Sequence, residues 1–487
     1  MRPARRPIHH RLLRVVDIGS SPPLRRVLGL RDLVLFFVTT GTNLQWVALA
    51  AAAGPSALPV WAAGAAAMFV PLSVCVVDLS SRYPQEGGLY VWTRRAFGPF
   101  AGFMTGWTYW TSNLPYFPGL LYFTAGNALI ALGAAGAPLT ASPAYFITAA
   151  LAGLALATVL NVRGLHVGKW LNNVGAVTRW LATLLLIGLG TLALVRLGPA
   201  TSFSASALLP GLGVRDLVFF SAIAFAWTGP EAASFMGDEI QQPRRTLPRA
   251  LALAAPMIAA IYVLGTLSVL VAVPAAEVSG LQGIMQAVAR AEERLGLSGV
   301  VPLAAALMTV TCLGSVGAWL EAVARLPLVA GLDRHLPPAF SRLHPRWGSP
   351  HVALLTQAAV AAVFVFLGQA GTTVKGAYEV LVSTTFIVTF VPFVLVFAAA
   401  IRLQGTPRPP EAVRIPGGAG TVRALAAVGL VTTLVSIGLA LLPAPDEPRK
   451  LLAVGKVVGL SLALVLAGVA VYVRGRAAAA AVAAERA

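Results

Sequence analysis

Charged residues and cysteines are scarce in this chain of 487 residues. Asp, Glu, Lys and Arg together make up 11% of it, whereas soluble domains carry about 25%. A deficit of this size excludes a soluble globular domain and a disordered chain, because both depend on charged groups that water solvates. The two cysteines, Cys75 and Cys312, lie in separate apolar stretches, so they predict neither a disulfide nor a metal site.

Sequence signals of catalysis and of cofactor binding are also missing. The six histidines fall in or beside polar segments and lack the spacing of metal ligands. There is no phosphate-binding loop, and no nucleophile stands in a recognisable pattern with a base. The sequence therefore predicts a protein that is not an enzyme and that uses no metal and no cofactor.

Apolar residues, by contrast, make up 57% of the chain, and the mean hydropathy is +0.79. Apolar stretches recur at close to the roughly 20 residues that a membrane-spanning helix requires. Only helices suit these stretches, because in lipid every backbone polar group needs a partner within its own segment. The sequence thus predicts an all-α integral membrane protein with 12 transmembrane helices, embedded in a lipid bilayer. The predicted spans are Leu33–Ala53, Leu58–Val77, Phe100–Leu132, Tyr145–Val162, Leu171–Val195, Leu217–Met236, Leu251–Val273, Val301–Val323, Val352–Leu367, Val380–Ile401, Val422–Leu442 and Leu451–Val473.

The basic residues predict how the chain is oriented. The formal net charge is +18, and Lys and Arg of membrane proteins concentrate in cytoplasmic loops. If the N-terminus is cytoplasmic, most of the 36 Lys and Arg residues face the cytoplasm. We therefore expect cytoplasmic N- and C-termini, and no nucleic-acid partner is needed to explain the charge. Only four of these residues are lysines, which indicates a GC-rich bacterial genome and hence the bacterial inner membrane, a plasma membrane.

Two short loops suggest that the chain contains a repeat. Gln85–Phe97 follows the second span and Leu281–Leu295 follows the seventh. If the first ten spans form two five-helix units, these loops are equivalent and face opposite sides of the membrane, as an inverted repeat requires. The predicted organisation is a basic cytoplasmic segment at 1–32, a first repeat at 33–199, a second, inverted repeat at 214–401, two additional spans at 422–473 and a cytoplasmic tail at 474–487.

Two spans are interrupted by residues that disfavour a helix. The first contains a polar run with Gly41 at its centre, and the sixth contains Gly229, Pro230 and Glu231. Gly and Pro lower helix stability by about 1 and 3 kcal/mol relative to Ala. Unwound segments at the midplane can bind an ionic substrate with their main-chain groups. The alternative is that Gly41 eases helix packing and Pro230 makes an ordinary kink, but two breaks in equivalent spans favour a binding site.

Three ionisable residues are predicted to lie within spans: Arg179, Glu231 and Glu321. A charge at membrane depth costs about 2.5–3.5 kcal/mol on insertion scales, so each is a functional candidate. Glu231 adjoins the helix break and can carry a proton, whereas an arginine stays charged. Glu321 precedes Arg325 by four residues, and a local helical ion pair is the alternative there. The predicted coupling residues are Arg179, Glu231 and Glu321.

Polar and aromatic side chains near the breaks complete the predicted site. Asn113 and Tyr116 lie near the middle of the third span, which is rich in aromatic residues. Phe225 and Trp227 flank the second break, where aromatic rings can close over a substrate and favour a cation. The predicted substrate-binding residues are Thr39, Thr40, Gly41, Thr42, Asn43, Asn113, Tyr116, Phe225, Trp227, Thr228, Gly229 and Glu231.

Three stretches carry a family resemblance. They are Asp78 to Trp107, with its central run Tyr83-Pro84-Gln85-Glu86-Gly87-Gly88, then Phe225 to Ala250 with Gly237-Asp238-Glu239-Ile240, and Arg325 to Pro337. In these stretches the chain resembles the amino acid–polyamine–organocation transporter superfamily and, within it, the amino acid permeases. The resemblance implies a leucine-transporter-like 5+5 inverted repeat with two additional C-terminal helices, and alternating access around the first and sixth helices.

The resemblance also assigns roles to residues. It implies that Thr40, Gly41 and Thr42 hold a substrate carboxylate, although the family commonly has Gly-Ser-Gly there. It implies that the sixth helix receives the amino group and that Phe225 is a gate. Some relatives carry a lysine on the fifth helix in a sodium-like site, and here the corresponding residue is Arg179.

The sequence thus predicts a secondary transporter of amino acids or polyamines that works without sodium. Exchange and proton coupling through Glu231 or Glu321 both remain open, with Arg179 as a structural cation. The alternatives are a sodium-coupled symporter and a sensor that binds the amino acid without moving it.

Overall fold

The computed structural model describes residues 28–85, 87–163, 165–211, 213–232, 234, 240–331, 335–443 and 447–485. Within this part the chain consists of helices joined by loops, and the one β-bridge links Leu28 to Ile240. The all-helical expectation is confirmed. The predicted segment 1–32 lies mostly outside the described residues, as do Glu86, Gly237, Asp238 and Glu239 of the family motifs.

Eighteen α-helices are assigned among the described residues. They are α1 (Leu30–Gly41), α2 (Leu44–Ala51), α3 (Ala57–Gly64), α4 (Val70–Arg82), α5 (Leu89–Phe97), α6 (Pro99–Thr111), α7 (Asn113–Ala131), α8 (Pro143–Val162), α9 (Leu165–Leu197), α10 (Ala205–Leu208), α11 (Val214–Ala226), α12 (Pro243–Ala272), α13 (Gly283–Leu295), α14 (Val300–Gly331), α15 (His351–Gln369), α16 (Val374–Leu403), α17 (Gly418–Ala440) and α18 (Lys450–Glu485).

Nine helical stretches in the described residues are long and apolar enough to cross a membrane. The chain is therefore a multi-pass membrane protein. The stretches are Ala57–Arg82, which joins α3 to α4 through a π-helical turn, Pro143–Val162, Asn173–Leu197, Pro243–Ala272, Val300–Pro327, His351–Gln369, Val374–Leu403, Gly418–Ala440 and Lys450–Ala477. The other three predicted spans are divided: the first between α1 and α2, the third at Ser112 between α6 and α7, and the sixth after α11.

The distribution of apolar side chains is that of a protein in lipid. Large apolar residues are exposed along several helices, with Leu184 and Leu466 each 60% accessible and Val195 78%. Exposed apolar surface of this extent is a liability in water and is normal against acyl chains. Polar side chains such as Gln45, Thr108 and Asn127 are buried in the interior instead.

The break in the first span follows from its local sequence. Helix α1 ends at Gly41, and the next two residues, Thr42 and Asn43, are extended. The Asn43 Oδ1 atom accepts a hydrogen bond from the Gln45 N–H at 3.1 Å, which caps the start of α2. The polar interruption predicted from the sequence is therefore an unwound segment of two residues between two short helices.

The break in the sixth span lies against the first. Helix α11 ends at Ala226, and Gly229 adopts φ +130°, a backbone conformation that favours glycine. A Cβ atom at Gly229 would stand 3.3 Å from the Gly41 Cα atom, so the two breaks touch through their main chains. The Tyr262 hydroxyl on α12 lies 2.8 Å from the Gly41 carbonyl oxygen and 3.1 Å from that of Ala226, and it joins both breaks.

The two loops predicted to be equivalent both contain helices. Helix α5 occupies most of the first, with Trp92 and Thr93 fully buried, and α13 occupies the second. Each therefore packs into the helical body. Thus α5 follows the second predicted span and α13 follows the seventh.

A buried polar cluster ties α4 to the linker between α16 and α17. The Asp78 carboxylate is fully buried and accepts hydrogen bonds from Arg408 and, at 2.8 Å, from the Gln404 amide. Arg82 lies one turn along α4, 3.5 Å from Asp78, and donates to the Leu403 carbonyl oxygen at 2.8 Å. These four side chains, Asp78, Arg82, Gln404 and Arg408, are called the linker cluster below.

Candidate functional site

A cavity lies where the two helix breaks meet, and it is called the central cavity below. Its walls come from both breaks and from α6, α7, α9, α12, α14 and α16. Most of the predicted site residues line it. They are Thr40, Thr42, Asn43, Asn113, Tyr116, Arg179, Phe225, Thr228, Gly229 and Glu231.

Three predicted binding residues are not among the described residues that line the central cavity. Gly41 contributes its carbonyl oxygen to Tyr262 rather than a wall of the central cavity. Trp227 packs behind the break, where its indole N–H donates to the Trp61 carbonyl oxygen at 3.0 Å. Thr39 belongs to α1, and its side chain lies outside the described part of the chain.

Glu321, the third predicted coupling residue, lies on α14 away from the central cavity. Its carboxylate is 3.7 Å from the Arg325 guanidinium, one turn along the same helix. This is the local ion pair that the sequence offered as the alternative. The geometry therefore separates Glu321 from Glu231, which lines the cavity.

Arg179 joins the first break to a distant helix. It projects from α9 and is 9% exposed. Its Nη1 atom donates to the Thr42 carbonyl oxygen at 3.0 Å, and its Nη2 atom donates to the Ser315 hydroxyl on α14. A permanent positive charge thus lies against a main-chain carbonyl freed by the break, where a bound metal cation could otherwise be coordinated.

Glu231 holds the opposite charge at the second break. It is 2% exposed, and its Oε2 atom accepts a hydrogen bond from the Gly229 N–H at 2.8 Å. The Tyr109 hydroxyl on α6 donates to Oε1 at 3.0 Å. A carboxylate can accept about four hydrogen bonds, so a substrate ammonium group can add to these donors.

Neutral polar groups connect the third span to the first break. The Asn43 amide donates to the Tyr116 hydroxyl at 2.9 Å, and the Asn113 amide donates to the Tyr109 carbonyl oxygen at 2.9 Å. Asn43 is therefore fixed from two directions, because its Oδ1 atom also caps α2. These bonds orient polar atoms around the cavity without adding charge.

Three aromatic rings close one end of the central cavity. The Phe225 ring lies 5.2 Å from that of Trp46 and 4.6 Å from that of Phe386, and the Trp46 and Phe386 rings are 5.5 Å apart. Phe386 also lines a second, larger cavity of about 490 Å³, formed with the end of α2, the middle of α11, the starts of α16 and α18 and the end of α17. We call this larger space the vestibule; its volume is within the range of about 300–1,000 Å³ typical of ligand pockets.

Several lining residues escaped the sequence-based prediction. They are Trp46, Tyr109, Ser112, Ala226, Tyr262, Trp319, Thr385 and Thr389. A signal existed for Thr385 and Thr389, which lie four residues apart in an apolar span and therefore share one helix face. Tyr109 precedes Asn113 by one turn and offered the same kind of signal. Tyr262 and Trp319 are isolated within apolar helices and offered none.

Comparison with known proteins identifies the family of the chain. The sequence profile described as amino acid permease matches residues 27–471. An uncharacterized transporter of Legionella pneumophila is 28% identical over 434 residues, which cover 88% of this chain and 92% of the relative. A probable agmatine/putrescine antiporter of Lactococcus lactis is 24% identical, covering 81% of this chain and 83% of that protein.

A human protein belongs to the same set of relatives. The Asc-type amino acid transporter 1 of Homo sapiens is 26% identical over 327 residues, which cover 66% of this chain and 60% of the relative. The relatives named here are transporters, and the profile match extends over nearly the whole chain. The chain belongs to the amino acid permease family of the amino acid–polyamine–organocation superfamily.

Proposed function

We propose that this protein is a secondary transporter that moves amino acids or related amines by alternating access, without sodium, and by exchange or proton coupling. Membership of the amino acid permease family and transporter relatives support the class of cargo. The observation that carries the coupling proposal is the hydrogen bond from Arg179 to the Thr42 carbonyl oxygen.

The proposed architecture is 12 transmembrane helices in two inverted five-helix repeats, 33–199 and 214–401, followed by two additional helices in 422–473. It is supported by the division of the first and sixth spans, because these are the first spans of the two proposed repeats. The positions of α5 and α13 in equivalent loops support it further. Both termini are proposed to be cytoplasmic and the membrane to be the bacterial inner membrane.

Alternating access requires the central cavity to open to one side at a time. With this orientation, the vestibule faces outward, because α16 begins and α17 ends there. Trp46, Phe225 and Phe386 then form an outer gate. If these three rings moved apart, a substrate could enter the central cavity from the vestibule. Movement of the broken helices against the remaining helices would subsequently open the cavity to the cytoplasm.

The substrate is proposed to bind with its two ends at the two breaks. The main-chain groups around Thr40 and Thr42 would receive the carboxylate. The side-chain hydroxyls of both residues already donate to carbonyl oxygens of α1, those of Phe36 and Val38, and so their protons are not available to the substrate. Glu231 would receive the ammonium group. The contact between Gly229 and Gly41 brings these two poles together in one site.

Sodium independence follows from the fixed charge of Arg179. The Arg179 guanidinium already occupies the Thr42 carbonyl oxygen, and its positive charge would repel a sodium ion that approached the same oxygen. Since arginine does not release its proton, any proton that moves with the substrate must be carried elsewhere, and Glu231 is the proposed carrier.

Uptake by purified protein in liposomes tests this proposal. A panel of radiolabelled amino acids and polyamines would be offered with and without internal substrate, an inward proton gradient, and sodium. We expect uptake that requires internal substrate or a proton gradient and that does not respond to sodium. Stimulation by sodium would overturn the role given to Arg179. Saturable binding without uptake under every condition would indicate a sensor in place of a transporter.

A further inference from the structure

Two side chains determine the charge of the central cavity. Among the described residues that line it, Arg179 is a permanent cation and Glu231 is the one carboxyl group, while tyrosines ordinarily ionise near pH 10. Both are buried, so water and salt screen them little. When Glu231 is ionised, which is the state that can pair with an ammonium group, its charge balances that of Arg179 and the described lining is neutral overall.

A neutral buried site distinguishes substrates by their own net charge. A zwitterionic amino acid brings one ammonium and one carboxylate, so the closed site stays neutral after it binds. A diamine brings two positive charges, and the described lining has one carboxylate to receive them. The second charge would be buried without a partner, which is strongly unfavourable in a site that excludes water.

The two charges also lie at different breaks. Arg179 contacts the first break through the Thr42 carbonyl oxygen, and Glu231 is held at the second by the Gly229 N–H. A substrate that spans both breaks therefore meets positive potential at one end and negative potential at the other. This polarity suits the dipole of an α-amino acid, whereas both ends of putrescine or agmatine are cationic.

The rest of the lining suits an uncharged side chain. Trp46, Phe225 and Trp319 contribute aromatic surface, while Thr385 and Thr389 contribute hydroxyl groups. The Thr385 hydroxyl already donates to the Leu381 carbonyl oxygen at 2.8 Å. An aliphatic or hydroxylated side chain can pack here, but a lysine or glutamate side chain would add a charge that these groups cannot balance.

We propose that the central cavity selects zwitterionic amino acids with neutral side chains and rejects polyamines, agmatine and basic or acidic amino acids. This inference rests on the proposed transport function and narrows it. It also separates this chain from its Lactococcus lactis relative, whose name refers to agmatine and putrescine.

The first test is competition in proteoliposomes that take up radiolabelled alanine. Serine, valine and leucine are expected to inhibit with half-maximal concentrations at least about tenfold below those of lysine, glutamate, putrescine and agmatine. Effective inhibition by putrescine or agmatine together with their own uptake would overturn the inference and leave the transport function intact. An absence of uptake of every compound would instead contradict the transport function.

The second test adds a charge to the lining. Thr389→Asp introduces a second carboxylate, and Thr389→Asn is the control of matched size without the charge. We expect Thr389→Asp to raise the ratio of lysine to leucine uptake by at least about tenfold over the Thr389→Asn protein. Equal ratios in two variants that elute as monodisperse protein would overturn the inference. If Thr389→Asp does not yield folded protein, the competition experiment on the unaltered chain still decides it.

Discussion

At the scale of single residues, the two buried charges differ in what they can do. Arg179 is held between two helices by hydrogen bonds to Thr42 and Ser315, and it cannot lose its proton. Glu231 is held by Tyr109 and Gly229 and can exist with or without a proton. This difference supports the proposal that Arg179 has a structural role and that Glu231 takes part in coupling.

Replacement of Glu231 by glutamine is expected to reduce transport by at least about tenfold, because the buried charge proposed to pair with the substrate ammonium group is lost. If transport by the unaltered protein is driven by an inward proton gradient, the variant should also lose that dependence. Initial rates of alanine uptake into proteoliposomes, with and without that gradient, measure both effects.

Glu321→Gln is the matched control for this experiment. Its carboxylate also lies within a predicted span, but it pairs with Arg325 along α14 and does not line the central cavity. We expect transport and its response to the gradient to be retained in Glu321→Gln. Unchanged rates in Glu231→Gln, or equal losses in the two variants, would contradict the proposed role of Glu231.

At the scale of helices, the site depends on two unwound segments that touch. Gly229 has φ +130° and faces the Gly41 backbone, and the Tyr262 hydroxyl contacts both breaks. The backbone conformation of each break is therefore supported by contacts with the other break and with Tyr262. The hydrogen bonds that the helices lose at the breaks are replaced in part by a side chain from α12.

Gly229→Ala should separate these two segments. The added methyl group meets the Gly41 backbone at 3.3 Å and forces an unfavourable backbone angle, at a cost of about 1–3 kcal/mol. We expect a lower unfolding temperature and loss of alanine binding. Thermal unfolding in detergent and scintillation proximity binding measure these changes.

The control for Gly229→Ala is Gly188→Ala on α9, where a methyl group would meet no atom within 4 Å. Since alanine favours a helix by about 1 kcal/mol over glycine, this variant should be at least as stable as the unaltered protein. Normal binding by Gly229→Ala would show that the contact between the breaks is not required.

The linker cluster offers a second test at this scale. Asp78→Asn removes the charge that two arginines share, and a buried ion pair that loses one partner typically costs about 3–5 kcal/mol. We expect a clear fall in the unfolding temperature. Glu411→Gln breaks the exposed pair with Arg244, whose atoms lie 2.8 Å apart, and should change stability by less than about 1 kcal/mol. Similar unfolding temperatures for the two variants would argue against the cluster as a fastening between α4 and the linker.

At the scale of the whole molecule, local composition determined what the sequence could predict. Apolar runs predicted helical spans, and the polar run around Gly41 predicted an unwound segment, because both properties belong to neighbouring residues. Contacts between distant helices were not predictable in this way. Tyr262 reaches both breaks from α12, and nothing in its own apolar helix distinguishes it.

Side-chain direction at a break was the other limit. Phe225 and Trp227 both flank the second break, and the sequence predicted both as site residues. The backbone leaves helical geometry at Trp227, so the two rings diverge: Phe225 lines the cavity while Trp227 packs against Trp61 and Phe69. Helical periodicity does not extend through a break and cannot predict this difference.

The orientation of the whole chain in its membrane remains a prediction from the basic residues. Arg402, Arg408, Arg414 and Arg423 lie at or near the linker between α16 and α17, which the positive-inside rule assigns to the cytoplasm. The loop between α9 and α11 should then face outward. Its residue Ser202 is exposed, as is Pro416 in the linker.

Cysteine labelling tests this orientation directly, because the native Cys75 and Cys312 are both buried and should not react. A membrane-impermeant maleimide is expected to label Ser202→Cys in intact cells, and Pro416→Cys only after the membrane is opened. The reverse labelling pattern would show that the chain has the opposite orientation in the membrane, and the vestibule beside Phe386 would then open toward the cytoplasm. Labelling of both sites in intact cells would place both on the outer side of the membrane, and the number of spans between them would then be even. The proposed spans from α11 to α16 are odd in number, so this result would contradict the span assignment.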